Sequence, residues 1–499
     1  MRSYEPAPLD IVARLPSYPW FTVGTVCIGA FMGQLDASIA QLVLPTLQRT
    51  FHASLASVSW VALSYLVVLA STLPVFGRLA DMFGRKLLYT GGFSLFIVGS
   101  ALCGFAPSLP FLIFSRALQA LGAGLLQANS VAIITAAAGP ERRGKAIGVQ
   151  GAAQAIGLSL GPALGGFLIQ ALGWRWVFWI NVPFGIAGTL LGWMILPKTQ
   201  GLHLANRRFD WLGAGLLIPA LALVTLGLSE MATWGAGSAA FLLVIGTGVT
   251  FIVWFIIQER RDSAPVVELR LFHSRAFSAG NAAGLISYGL LFGIFLLLPF
   301  ALERGYADLP FAAGLKLTAI PIALGIAAPF AGGLSDRLGP RPLTVGGMLV
   351  AAVSLAGMAF VLNGSPATLT LLTAAMIFFG IGQGLFTAPN NSAIMGAAPE
   401  THLGAAGGVL NVMRTLGTSL GVAVASVLVD YRVQSIAGRN VRVAQAPPHV
   451  LLAAIHDVLL IFACLAVVAA AMSMLRGKPP QLDSRRRKEI AELESYGGV

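Results

Sequence analysis

About fourteen apolar runs, each long enough to cross a bilayer, follow one another from Trp20 to Leu475 of this 499-residue chain. A hydrocarbon layer about 30 Å thick is spanned by about 20 residues of helix. Lipid offers the backbone no water, so every run must satisfy its own amides and carbonyls, which it does by becoming helical. The chain is expected to be an all-α integral membrane protein with about 14 transmembrane helices. Composition agrees, because 56% of residues are hydrophobic and 10% charged, where a soluble domain carries about 25% charged residues. The 58 glycines suit helices that pack closely inside lipid.

The basic residues set the direction of threading. With both termini in the cytoplasm, about 23 of the 32 Lys and Arg residues lie inside and about 6 outside. Arg116, Lys316 and Arg414 fall within spans. A shift by one span would put most basic clusters on the wrong side. One outer loop dissents, with Arg432, Arg439 and Arg442 between spans 13 and 14. Topology in a cell membrane therefore accounts for the net charge of +12, and no nucleic-acid partner is expected. The first 19 residues show no short apolar run before a small-residue cleavage site, so no removable signal is expected. Cys27, Cys103 and Cys464 lie in apolar runs without disulfide-like or metal-like spacing.

A repeat divides the runs. GRLADMFGRK at 77–86 and GGLSDRLGPR at 332–341 share the first glycine, Leu, Asp and second glycine. GAGLLQANSVAI from Gly122 is echoed by GQGLFTAPNNSAI from Gly382, and GLSLGPALGG from Gly157 by GTSLGVAVAS from Gly417. Offsets of about 255 to 260 residues mark two similar helical halves, one known way of building transporters. Six spans per half leave two over. The expected organisation is a cytoplasmic segment at 1–19, a six-helix bundle at 20–200, a two-helix linker region at 201–275, a second six-helix bundle at 276–475 and a cytoplasmic tail at 476–499.

Several polar groups need a reason to sit among so much apolar sequence. In GRLADMFGRK a tight turn between spans 2 and 3 would use Gly77 and Gly84 for backbone geometry. Asp81 would lie near Arg78, Arg85 and Lys86, or at the positive end of a neighbouring helix. Asp336 and Arg337 occupy the matching turn, and the two copies are expected to latch the cytoplasmic side. Asp36 lies well inside span 1, where an ionised carboxylate costs on the order of 2.5 to 3.5 kcal/mol. It is expected to face an aqueous cavity or to carry a proton for part of the time, and alternating exposure would load and release that proton. Arg116 raises the same problem with opposite sign and keeps its proton. In GLSLGPALGG, Gly157, Gly161 and Gly165 share one helix face, and Pro162 removes a backbone donor and favours a kink. Gln127, Asn129, Asn281, Asn390, Asn391, Asn411 and Arg414 either line a cavity or bond helix to helix. Asp457 is close enough to a helix end to need no special role.

These stretches together resemble the major facilitator superfamily and, within it, the fourteen-span drug:proton antiporters. GRLADMFGRK looks like the superfamily's motif A, and LDASIAQLVLP from Leu35 resembles the first-span motif of the fourteen-span group. RALQALGAG from Arg116 is similar to the fourth-span motif B, and GLSLGPALGG to the fifth-span antiporter motif C, followed by WRWVFWINVPFG. The first-span motif departs from the usual pattern at Ser38 and Gln41, where Thr and Asn are common, and the second copy of motif C has Val422 opposite Pro162. The resemblance implies a major facilitator fold and a transport-coupled role for Arg116, acting on a neighbouring carboxylate or on backbone across the bundle. It also implies a hinge or leak-proof seam at Gly157, Gly161, Pro162, Gly165 and Gly166.

The expected function is proton-driven efflux of multiple drugs and other small lipophilic compounds by rocking of two bundles around a midplane cavity. Asp36 and Arg116 are the candidates for proton coupling. The alternative is a dedicated exporter of one metabolite or lipid. The six histidines are scattered over loops and span ends, and neither GxSxG nor HExxH occurs, so no enzyme, cofactor or metal is expected. The expected partners are substrate, protons and lipid, and an adaptor protein is left open by the sequence. With Asp36 as the clearly embedded acid and Arg116, Lys316 and Arg414 as bases, neutral or anionic lipophiles are expected as readily as cations.

Overall fold

A computed structural model of the chain describes residues 5–139, 142–199, 210–230, 234–235, 237–262, 269–398, 403–437, 441 and 443–475. Fourteen of its helices are long and apolar enough to cross a membrane. In chain order these are α1 (Tyr18–Leu42), α2 (Leu55–Phe83), α3 (Arg85–Phe105), α4 (Leu109–Ala138), α5 (Arg143–Ala171), α6 (Asn181–Ile195) and α7 (Trp211–Ser229). The rest are α8 (Ala239–Arg261), α9 (Arg275–Phe300), α10 (Ala319–Leu338), α11 (Pro340–Val361), α12 (Leu369–Gly396), α13 (Leu403–Ala437) and α14 (Pro448–Met474). Short helices at Leu44–Phe51, Trp176–Trp179 and Pro310–Leu317 lie at the ends of the spans, the second extending α6 to a span of 20 residues from Trp176 to Ile195. Four long helices start on a capping oxygen that accepts from a backbone amide three residues on: Ser54, Asp210, Ser238 and Ser274. Among the described residues no strand occurs.

The repeat read from the sequence is a repeat of packing. In the first half α3 packs on α4, α2 on α4, α1 on α5 and α3 on α6. The second half has α11 on α12, α10 on α12, α9 on α13 and α11 on α14, the same pairs eight helices later. The halves meet through two equivalent pairs, α2 with α13 and α10 with α5. Glycines explain part of this correspondence. A Cβ at Gly92 would meet the Gly122 carbonyl at 3.0 Å, and one at Gly382 would meet the Gly347 carbonyl at 2.7 Å, so both helix pairs cross at backbone contact. The two extra helices pack on each other, and α7 also covers α2 and α13. Large apolar side chains such as Phe330, Val353 and Phe360 point outward, as expected where lipid replaces water.

Two expectations change. The stretch at 77–86 is mostly helix: α2 continues through Gly77 to Phe83, and Gly84 alone makes the turn, at φ 112°. Gly339 does the same in the second copy, at φ 81°. Gly77 serves no turn, and a Cβ there would meet nothing within 4 Å among the described residues. An α-helix keeps its hydrogen bonds after the apolar run stops, because charged residues beyond the membrane are solvated there. The side chains of Arg78, Asp81 and Asp336 lie outside the described residues, as does the tail at 476–499. Asp457, read as needing no role, pairs with Arg432 and lies 3.1 Å from His456 Nδ1. That pairing neutralises one of the three basic residues that ran against the topology.

The 77–86 stretch is also tied down by the N-terminal segment. The buried Glu5 carboxylate accepts from the amides of Leu87 at 3.1 Å and Thr199 at 2.7 Å, satisfying a donor at the start of α3. Lys86 is buried and donates to the carbonyls of Pro6 and Leu196 at 2.9 and 2.8 Å. Arg85 donates its amide to Thr199 Oγ1 at 2.8 Å.

Candidate functional site

A cavity of about 930 Å³ lies between the halves, lined from α1, α2, α4 and α5 with Phe96 of α3 on one side and α9, α10, α12 and α13 on the other. Its lining reaches Ser130, Gly148 and Gly332, toward the end of the molecule that carries the Gly84 and Gly339 turns. Most of the surface is apolar. Gln34, Gln127, Gln150, Gln154 and Asn391 contribute amides, Tyr65 and Tyr288 contribute phenols, and Arg414 contributes the one cationic side chain among the described residues. No Asp or Glu among the described residues lines it.

At the opposite end the halves close on each other. Arg49, beyond α1, donates to Glu303 Oε2 at 2.7 Å across the two halves. The Glu303 side chain is 1% exposed and the Arg49 side chain 58%. Ser59 of α2 donates to Ser426 of α13 at 3.2 Å. Between these contacts the GLSLGPALGG segment of α5 meets the second half at backbone level. A side chain at Gly166 would strike the Pro310 carbonyl, and one at Gly314 the Pro162 carbonyl. Gly157, Gly161 and Gly165 instead face α1, against the Phe31 carbonyl, Ser38 and Ile39. The motif thus packs within its half along one face and seals against the other half at its end.

Asp36 and Arg116 meet each other but not the cavity. Arg116 Nη1 donates to Asp36 Oδ2 at 2.7 Å and to Gln119 Oε1 at 2.6 Å, while its Nε donates to the Val61 carbonyl at 3.1 Å. Asp36 Oδ1 accepts from Gln119 Nε2 at 2.9 Å and Asn181 Nδ2 at 3.0 Å. Ser100 Oγ accepts from both amides, at 3.2 and 3.1 Å, and donates to the Phe178 carbonyl at 2.8 Å. The network joins α1, α2, α3, α4 and α6 and is closed, with Asp36 and Arg116 each at most 2% exposed. A carboxylate beside a guanidinium loses less on leaving water than either ion alone. One layer separates the pair from the cavity: the Arg116 guanidinium carbon lies 4.3 Å from the centroid of Tyr65, whose other side lines the space.

The candidate lining residues divide. Gln127, Asn391 and Arg414 line the cavity. Asn129 and Asn281 are buried and donate to the carbonyls of Leu125 and Phe277 one turn back. Asn390 is buried, and Asn411 does not reach the lining. Lys316 pairs with Asp308. Gln119, Asn181, Ser100 and Tyr65 were not expected in the network, and Arg49 was not expected at the closed end. Gln119 alone carried a signal, lying three residues after Arg116 on one helix face.

The profile of the Major Facilitator Superfamily matches residues 26–422 and 281–493. The riboflavin transporter RibZ of Clostridioides difficile is 35% identical over 81% of this chain and 87% of its own length. The tetracenomycin C resistance and export protein of Streptomyces glaucescens is 32% identical over 84% of this chain and 77% of its own. A multidrug resistance protein B homologue of Mycobacterium tuberculosis is 32% identical over 82% and 76%. Among solved structures, a bacterial homologue of the human lysosomal transporter Spinster, inward-facing and unoccupied, superposes with a TM-score of 0.69 at 16% identity, covering 93% of this chain and 97% of that one. With its two packing repeats, its central cavity and these relatives, the chain belongs to the Major Facilitator Superfamily of membrane transporters, as a fourteen-span member related to drug-resistance proteins.

Proposed function

We propose that this transporter exports lipophilic compounds in exchange for protons by alternating access, with both termini in the cytoplasm. The observation that carries this reading is the asymmetry of the space between the halves. The cavity extends toward the end bearing the basic turns, and the other end is shut by the Arg49–Glu303 pair and the α5 seam. Substrate would enter from the cytoplasm or the inner leaflet and leave when the seam parts. The names of two relatives, a riboflavin transporter and a tetracenomycin C resistance and export protein, support fused-ring cargo, and that of a third, a multidrug resistance protein, supports export of drugs.

The coupling site we propose is Asp36 with Arg116. Protonating Asp36 removes the charge that Arg116 answers and leaves the guanidinium held by Gln119, the Val61 carbonyl and Tyr65 alone. The test is export from reconstituted vesicles under an imposed pH gradient. Parent export should follow the gradient, and Asp36→Asn should lose the dependence while retaining substrate counterflow. The double variant Asp36→Asn with Arg116→Gln removes both charges, so its failure to recover gradient dependence separates coupling from lost fold stability. Parent export indifferent to the gradient would refute proton exchange. Asp36→Asn with parental gradient dependence would refute the site.

A further inference from the structure

We propose that the cavity selects organic anions, holding a flat aromatic carboxylate with its acid group on Arg414 and its rings against Tyr288 and Phe292. This names the substrate class of the export reading and rests on it. The described cations embedded in the spans have partners, with one exception. Arg116 pairs with Asp36, Lys316 with Asp308 and Arg432 with Asp457, and Arg304 donates to the carbonyls of Val443 and Ala446. Arg414 has no carboxylate within ion-pair distance among the described residues. It stands eleven residues into α13, about 16 Å along the helix from its start. Its guanidinium carbon lies 5.6 Å from the Tyr288 ring centroid, and both residues line the cavity.

A guanidinium keeps its charge wherever it sits, so a half-buried one in an apolar space is held at a cost that a bound anion relieves. Its planar fork matches both oxygens of a carboxylate. An aromatic neighbour that already faces this cation adds a surface on which a fused ring system can stack. A cationic ligand finds no acid on the described lining and meets Arg414 as a like charge. Across the cavity, the Gln34 and Gln127 amides offer hydrogen bonds to carbonyl or hydroxyl groups on the far edge of the ligand.

The test is equilibrium binding to the purified full-length protein in detergent, read by fluorescence polarisation. The probes are fluorescein, an anion, and tetramethylrhodamine ethyl ester, a cation on a closely similar ring system. The parent should bind fluorescein about tenfold or more tightly than the ester. Arg414→Gln should weaken fluorescein about tenfold or more while leaving the ester unchanged or tighter. Arg414→Lys should keep most of the preference, and Arg414→Glu should reverse it. Equal binding of both dyes by the parent, or a monodisperse Arg414→Gln protein that binds fluorescein as the parent does, would overturn the proposal. The parent comparison decides the matter even where a variant fails to fold. Because no gradient is present, loss of anion preference with intact gradient-driven export sinks this proposal alone. Intact preference without gradient-driven export sinks the export reading alone.

Discussion

Replacing Arg49 with methionine should loosen the closed end more than replacing Glu303 with glutamine. The two partners sit in different settings, the Glu303 side chain 1% exposed and that of Arg49 58%. Arg49→Met leaves a buried carboxylate whose Oε1 has no hydrogen-bond partner among the described residues and whose Oε2 loses its own. Breaking a fully buried pair costs about 3–5 kcal/mol, and an exposed pair contributes below about 1 kcal/mol. The half-exposed partner places this pair between those limits, at about 1–3 kcal/mol, or about 5- to 150-fold in the ratio of closed to open molecules. Glu303→Gln leaves only a guanidinium that can turn to water, so its effect should stay below about 1 kcal/mol. Spin labels at Thr50 and Ala367, exposed positions of the two halves near the closed end, report the separation once Cys27, Cys103 and Cys464 are replaced. A longer-distance population should grow strongly in Arg49→Met and weakly in Glu303→Gln, and acidifying the parent should resemble the second. Unchanged distance distributions in Arg49→Met, or a larger shift in Glu303→Gln, would refute the reasoning.

The glycines on the two faces of α5, Gly157 of α5 itself and Gly314 of the helix packed against it, should separate by direction. Gly314→Val drives a side chain into the Pro162 carbonyl across the halves and should lengthen the same label distance, whereas Gly157→Val strikes the Phe31 carbonyl inside one half and should lower thermal stability by about 1–3 kcal/mol without opening the seam. Tyr65→Leu removes the ring beneath Arg116 and with it about 0.5–2 kcal/mol of cation–π attraction; pH-gradient-driven export should fall while dye binding persists. Replacing 211–258 with a short loop should keep the C-terminal tail on the cytoplasmic side, checked by labelling a cysteine placed there. It should also lower the melting temperature, because α7 covers α2 and α13 where the halves meet.

The spans were legible because lipid forces each to declare itself over about 20 apolar residues, and the repeat because glycines mark where helix backbones touch. Gly122 and Gly382 could be paired from sequence alone, and both make that contact. Helix ends were less legible: nothing after Phe76 says that α2 continues to Phe83, since hydrogen bonding carries on where apolarity stops. Asp36 and Arg116 stood out as charges, but their pairing joins positions 80 residues apart. Ser100 and Asn181 carry no comparable signal, because an uncharged polar residue is easily accommodated between membrane helices. The cavity was the least legible. Its walls are largely glycine, alanine and aliphatic residues that also suit lipid, and Asn129 and Asn281, which looked like lining, spend their amides on their own helices.

Charge is kept apart in this molecule in a way that constrains how proton and cargo can be exchanged. Asp36 lies eighteen residues into α1, toward the closed end and inside the first half, while Arg414 lies in the second half with its side chain on the cavity. The two cannot compete for one ligand group, so exchange on the proposed reading must run through an element that both ends of the cycle move. The α5 seam is such an element. Gly161 rests on Ser38, two residues after Asp36, and the carbonyl of the adjoining Pro162 lies against Gly314 of the second half. On its other face α1 lends Gly33, Gln34 and Ala37 to the cavity wall. Adjacency alone does not make coupling; a two-state element biased by both sites does. A shift of α1 on protonation at Asp36 would act on the seam and on the wall together. Cargo on Arg414 would bias the same seam from the opposite half, without either site touching the other.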